Sequence, residues 1–197
     1  MLYVELMNII NNLAIFCGSS KGNNPIFSEE AINVGKYIAK ENMTLVYGGG
    51  NIGLMGLVAS TAYENGARVI GVLPKRLNLP QVCNKDVETE RIITTDMHER
   101  KKEMYKRSDA FIAMPGGIGT YEEFFETYTW LQLNIHSKPI GLLNIDNFYT
   151  PLYNFLLQAC EKGFMKKDIL DCLSISTDIE TLVEMMRTKK LNISTKI

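Results

Sequence analysis

The chain has 197 residues, 46% of them hydrophobic and 22% charged, which suits one soluble domain with a sizeable core, or a domain with a short appendage. A net charge of −1 supplies no excess of Lys and Arg for a phosphate backbone, so neither DNA nor RNA is an expected partner. No run approaches the roughly 18 apolar residues of a membrane span. Four cysteines, Cys17, Cys83, Cys160 and Cys172, lack CxxC pairing and a nearby histidine; free thiols in a reducing cytoplasm are expected, with no metal site and no disulfide framework.

Met1 to Met7 is apolar but carries Glu5 and has no basic flank, so residues 1–12 read as an N-terminal extension, not a signal peptide, with Met7 as an alternative start. Leu13 to Cys17 is a continuous apolar run closed by Gly18-Ser19-Ser20, the pattern of a parallel strand buried on both faces. Asn24 and Pro25 then offer an N-cap and an N1 proline, and Phe27, Ala31, Val34 and Ile38 form one helical face.

Thr44 to Tyr47 reads as a second strand, followed by Gly48 to Gly56 and a helix ending near Gly66. Gly48 to Gly53 formally fits the dinucleotide fingerprint GxGxxG. That fingerprint belongs after the first strand and expects an acidic residue at the end of the next, whereas Arg68 to Leu73 runs into Pro74 and Lys75. The glycines are read either as a turn that lets backbone approach a nucleotide, with Gly49 and Gly50 as contacts, or as simple close packing.

From Pro74 to Glu90 periodicity is lost, predicting a surface loop that borders a pocket. Arg91 to Thr94 reads as a strand. Met97 to Ser108 is a charged helix whose Arg100, Lys101, Lys102, Lys106 and Arg107 read, on composition alone, as a solvated face.

The stretch from Phe111 to Glu126 is a buried strand, a loop with Gly116, Gly117 and Gly119, and a helix opened by Thr120. Free N–H groups of a first helical turn, with the positive end of the helix dipole, make an anion site, and a phosphate is the expected anion. Thr120 and Glu123 have the spacing of a capping box, but equally of a carboxylate held beside a bound sugar phosphate; spacing does not choose.

Phe124, Phe125, Tyr128 and Leu131 supply the apolar face of this helix, with Trp130 and Leu133 extending it toward a partner subunit. Pro139 to Leu143 reads as a strand, Pro151 to Glu161 as a helix ended by Gly163, and Leu173 to Ser176 as a last strand. Thr177 and Glu180 form a second expected capping box ahead of Ile179, Leu182, Val183 and Met186. The alternation predicts a Rossmann-like α/β fold of three layers, a mostly parallel sheet covered by helices on both faces. Residues 13–190 are expected to form a single nucleotide-binding domain and 191–197 a tail, with the three glycine-bearing loops, Ser19 among them, gathered at the carboxyl edge of the sheet.

Pro115-Gly116-Gly117-Ile118-Gly119-Thr120-Tyr121-Glu122-Glu123 resembles the P-G-G-x-G-T-x-x-E motif of the LOG (LONELY GUY) family, the cytokinin riboside 5′-monophosphate phosphoribohydrolases. Met97-His98-Glu99-Arg100-Lys101-Lys102-Glu103-Met104 matches a second family signature, M-H-x-R-K-x-x-M, and Thr129 to Asn144 is also similar. The resemblance implies Arg100 and Glu123 as a catalytic pair. It places Lys101 and Gly116, Gly117, Ile118, Gly119, Thr120, Tyr121 and Glu122 on a nucleotide, with Thr129 close by. It also implies a homodimer with the active site near the interface, and neither metal nor cofactor. An arginine within a few Å is expected to favour the ionised form of Glu123. Relatives often carry a substrate-contacting glutamate in the 74–90 loop; the nearest positions here are Gln81 and Val82, and the contact is not transferred to Glu88 or Glu90. Two competing readings are a nucleotide carrier or sensor of the same fold, which needs only the phosphate cradle, and a lysine decarboxylase, which needs a pyridoxal phosphate lysine that no motif supplies.

Overall fold

The computed structural model describes residues 7–79, 82, 85–191 and 193, with the side chain of residue 85 excepted. Seven strands form one parallel sheet: β1 (Asn12–Phe16), β2 (Thr44–Tyr47), β3 (Arg68–Pro74), β4 (Glu90–Thr94), β5 (Ala110–Ala113), β6 (Ile140–Leu143) and β7 (Leu173–Ser176). Their order is β4-β3-β2-β1-β5-β6-β7, so the chain winds outward from β1 in one direction and resumes beside it at β5. Successive parallel strands need helical crossovers, and these cover both faces. Strands therefore carry apolar side chains on both sides, as in the fully buried β5.

The helices are α1 (Pro25–Lys40), α2 (Gly53–Glu64), α3 (Met97–Arg107), α4 (Ile118–Gln132), α5 (Thr150–Glu161), α6 (Lys167–Asp171) and α7 (Ile179–Thr188). One apolar layer joins the sheet to α1, α2 and α7, through Val34, Ile38, Val58, Leu182 and Met186; the other joins it to α3, α4 and α5, through Met104, Phe124, Tyr128 and Leu156. Asn24 caps α1, its Oδ1 accepting from the N–H of Ile26 at 3.2 Å, with Pro25 in the first turn. Among the described residues no helix is long and apolar enough to cross a membrane.

Several expectations change. The 74–90 stretch contains two short 3-10 turns, Lys75–Leu77 and Lys85–Val87. The short α6 has no counterpart in the periodicity, because five residues are too few to show one. Phe125 is 37% exposed, while Phe124, Tyr128 and Leu131, spaced by four and three, take the core face. Trp130 packs edge-on against Tyr105 of α3, at 5.1 Å between ring centres, and Leu133 is exposed. The cap of α7 is Asp178, which accepts from the N–H of Thr181 at 2.8 Å, so Thr177 and Glu180 form no capping box; Glu180 pairs with Lys40. Of the expected N-terminal extension, residues 1–6 lie outside those described, whereas Ile10 is buried and Asn8 donates from its side chain to Met186 and Lys189. Cys17 and Cys172 are buried free thiols, Cys160 is a half-buried one, and Cys83 lies outside the described residues.

Candidate active site

In a sheet of this order the crevice lies outside the carboxyl ends of β1 and β5, where the winding reverses. The loops after β1, β2 and β5 meet there. The N–H of Gly18 donates to the carbonyl of Pro115 at 3.0 Å, and the N–H of Leu54 donates to the carbonyl of Gly18 at 3.0 Å. Between them opens a cavity of about 320 Å³ lined by Ser19, Lys21, Gly116 and Gly117 together with Phe27 and Phe148.

Helix α4 starts at Ile118, two residues before the expected opening at Thr120. Its N-cap is Gly117, which has no side chain to accept from the first turn. Thr120 is buried inside that turn, where its hydroxyl lies so close to Gly116 that a Cβ there would overlap it. The capping box of Thr120 and Glu123 is therefore absent, and the Glu123 carboxylate is directed elsewhere. The first N–H groups of α4 are left without a side-chain cap.

Glu123 turns toward α3. Its Oε1 lies 2.8 Å from Nη1 of Arg100, and the two side chains are 11% and 10% exposed. Local sequence explains how α3 delivers the arginine. Asp96 caps the helix by accepting from the N–H of Glu99 at 2.8 Å, and the Glu99 carboxylate returns to the N–H of Thr95 at 2.7 Å. The guanidinium is then tied to the sheet, its Nε donating to the carbonyl of Val72 at 3.1 Å. It lies directly over Gly48, where any Cβ would collide with Nη2. The charged helix is thus not a solvated face at this position; Arg100 is buried together with Met104.

Burial pushes the Glu123 carboxyl above the ordinary glutamate range; Arg100 pulls the other way and Glu122 adds to the rise. As expected, Arg100 favours the ionised form, but desolvation of a carboxylate held mostly out of water outweighs that one ion pair and the net shift is upward. Lys101, the next residue, is lowered by burial but raised overall by its bonds to two carboxylates of α4, Glu122 and Glu126. Its Nζ is 3.0 Å from Glu126 Oε1.

The remaining sequence candidates divide. Ser19, Gly116 and Gly117 line the cavity. Ile118, 82% exposed, and Gly119 form the open first turn of α4, with Tyr121 half-buried behind them. Gly49 and Gly50 are buried against Leu73 and Met55 and do not line the cavity, which favours the packing reading. Thr129 is exposed on α4, two turns beyond Glu122 and away from the cavity walls. Glu123 lines a narrower crevice between α3 and α4, with Lys101, Tyr105 and Trp130.

Glu88, to which no contact was transferred, has a side chain 1% exposed and accepts from the Tyr47 hydroxyl at 2.6 Å and from Nε of Arg91 at 2.5 Å. Glu90 pairs with Arg68 and Arg107. Gln81 lies outside the described residues, and the Val82 carbonyl accepts from the N–H of Asn51 at 2.8 Å. Further residues around the site were not among the sequence candidates. Asp96 with Glu99 was findable from its capping-box spacing. Phe27 was assigned to the core alone, and Phe148, which follows Asp146 and Asn147 at φ +52° and +58°, sits in an irregular segment with no periodic signal.

A family model described as possible lysine decarboxylase matches residues 55–186. The probable cytokinin riboside 5′-monophosphate phosphoribohydrolase LOGL2 of Oryza sativa subsp. japonica is 44% identical over 174 residues, covering 88% of this chain and 71% of its own. The cytokinin riboside 5′-monophosphate phosphoribohydrolase LOG1 of Arabidopsis thaliana is 46% identical over 162 residues, covering 82% and 76%. Among solved structures, the molybdenum cofactor binding protein of Rippkaea orientalis superposes with a TM-score of 0.66 at 24% identity, over 90% of this chain and 95% of that one. The Moco carrier protein of Chlamydomonas reinhardtii does so with a TM-score of 0.65 at 20% identity, over 88% and 93%. At those identities the likeness is one of fold.

Proposed function

The chain belongs to the LOG family of cytokinin riboside 5′-monophosphate phosphoribohydrolases, and from that membership we propose that it cleaves the N-glycosidic bond of N6-modified AMP, and of AMP itself, to the free base and ribose 5-phosphate. The observation that carries this reading is the Arg100–Glu123 pair, set on the sixth residue of a helix whose first turn has no side-chain cap. A carrier would need the cradle but not a desolvated carboxylate–guanidinium pair beside it.

The 5′-phosphate takes the N–H groups at Gly117 to Thr120, where the dipole of α4 favours an anion. Gly116, Tyr121, Glu122 and Lys101 border the nucleotide, with Ser19 in the same cavity and Thr129 two turns further along α4. As the bond from the anomeric carbon to the base breaks, its electron pair leaves with the base and positive charge grows on the sugar. Glu123 stabilises that charge and accepts a proton from the attacking water, and the departing base takes up a proton in turn. Arg100 holds the carboxylate in place and keeps part of its population ionised. A carboxyl raised by burial is suited to this exchange, since general bases work best with a pKa near the operating pH.

Residues 13–190 act in this reading as one nucleotide-binding domain, in the cytoplasm, and the protein works as a homodimer with the site near the interface. Ile118, Phe125, Leu133 and Ile135, all exposed on or just after α4, support an apolar contact there. The reading is tested by incubating purified protein with AMP and with isopentenyl-AMP. Stoichiometric free base and ribose 5-phosphate are expected, and release from neither substrate would favour the carrier reading.

A further inference from the structure

A phosphate dianion at the first turn of α4 calls for a cation whose charge is not already committed. Lys101 is a poor choice, because Glu122 and Glu126 both hold its ammonium. Lys21 differs on each count. It sits in the loop after β1 and lines the same cavity as Gly116 and Gly117, and it is the one charged residue among the described residues that do so. No ion pair engages it among the described residues. The loop is shaped to present it: Gly22 follows at φ +74°, with its N–H donating to Oγ of Ser20 at 3.3 Å, and a Cβ on Gly22 would press on the ring of Phe27.

We propose that Lys21 binds the 5′-phosphate of the substrate and makes the site select nucleoside monophosphates over nucleosides, while Lys101 serves the sugar side as part of the carboxylate cluster of α4. This inference rests on the reading above that a nucleotide lies at Gly116 to Thr120. Lys21 comes from the loop after β1 and the N–H groups from the loop after β5, so that a point charge and backbone donors share the anion. Since the phosphate is unchanged by the reaction, its contact stabilises ground and transition states alike and appears in KM, with kcat unaffected.

The test is calorimetric titration of the full chain with ribose 5-phosphate and with adenosine, alongside steady-state kinetics on AMP, for wild type, Lys21→Ala, Lys21→Arg and Lys21→Glu. Lys21→Ala is expected to weaken ribose 5-phosphate about tenfold or more and to raise KM for AMP in proportion, as for loss of a charge-assisted bond. Lys21→Glu should weaken it further, Lys21→Arg should bind within a few-fold of wild type, and adenosine affinity should not change across the set. Wild-type affinity for ribose 5-phosphate in Lys21→Ala, or equal losses for ribose 5-phosphate and adenosine, would overturn the role of Lys21 and leave the hydrolase reading intact. Wild-type protein that neither binds ribose 5-phosphate nor cleaves AMP would overturn both.

Discussion

Nη1 of Arg100 and Oε1 of Glu123 lie 2.8 Å apart, on two different helices, with nine-tenths of each side chain out of water. Such a pair is costly to break from one side, because the remaining charge keeps its desolvation penalty without a partner. Replacing Arg100 by Met is expected to cost about 3–5 kcal/mol of stability as well as turnover. Chemical denaturation of the variant beside wild type measures the first, and a loss below about 1 kcal/mol would contradict burial of the pair.

The pH dependence has a definite sign. Burial raises Glu123 and Arg100 opposes the rise, with Lys101 also lowering it and Glu122 adding to it. A base must be ionised, so kcat/KM should fall as pH drops through the raised value, placing the acid limb above the roughly 4.3 of an exposed glutamate. A limb at or below that value would contradict the assignment.

Stability runs the other way. With its folded pKa above the unfolded one, the group contributes stability that is present below the unfolded pKa and is lost as pH rises through the folded value. Unpairing Arg100 lowers the Tm of Glu123→Gln, but the deficit relative to wild type should shrink as pH rises from about 5 to about 8. Melting curves at both ends of that range are the check.

Two glycines that look alike in sequence should behave differently. A Cβ at Gly48 would collide with the Arg100 guanidinium, so Gly48→Ala is expected to lower kcat and to cost about 1–3 kcal/mol from overpacking. Nothing lies within 4 Å of a Cβ at Gly117, so Gly117→Ala should keep its Tm and reveal itself in KM, where the phosphate must approach the backbone closely. Equal effects on Tm would count against this distinction.

The cap of α3 controls the aim of Arg100 from a distance. Asp96→Ala removes an acceptor for the N–H of Glu99 and should cost about 1 kcal/mol, with a fall in kcat and unchanged affinity for ribose 5-phosphate. Thermal melts and kinetics on the same preparation separate these effects.

Much of this architecture was legible because it rests on short-range rules. β2 ends where its apolar run ends, β7 spans the expected Leu173 to Ser176, and the Asn24-Pro25 start of α1 follows from capping chemistry that involves only neighbours. The site was legible in part. The identity of the pair came through the family motifs, but the choice between cap and catalyst at Glu123 depends on where α3 lies, a contact across 23 residues of chain that no local spacing encodes. The starting point of α4 was misread because a hydroxyl is the stronger cap signal, whereas Gly117 takes that place without one. The protonation balance of Glu123 could not be read either, since the arginine is visible in sequence and the burial is not. Phe125 illustrates the same limit at the surface, an aromatic residue that continues a hydrophobic pattern but falls outside the face set by Phe124, Tyr128 and Leu131.

The central claim is that Glu123 does chemistry on a nucleotide whose phosphate is held by the turn before it. Glu123→Gln tests it most directly, with affinity for AMP measured by calorimetry and turnover measured by release of adenine. Affinity within about threefold of wild type, together with a fall in kcat of about a hundredfold or more, is the predicted result. Turnover equal to wild type at equal affinity would show that the carboxylate has only a structural part.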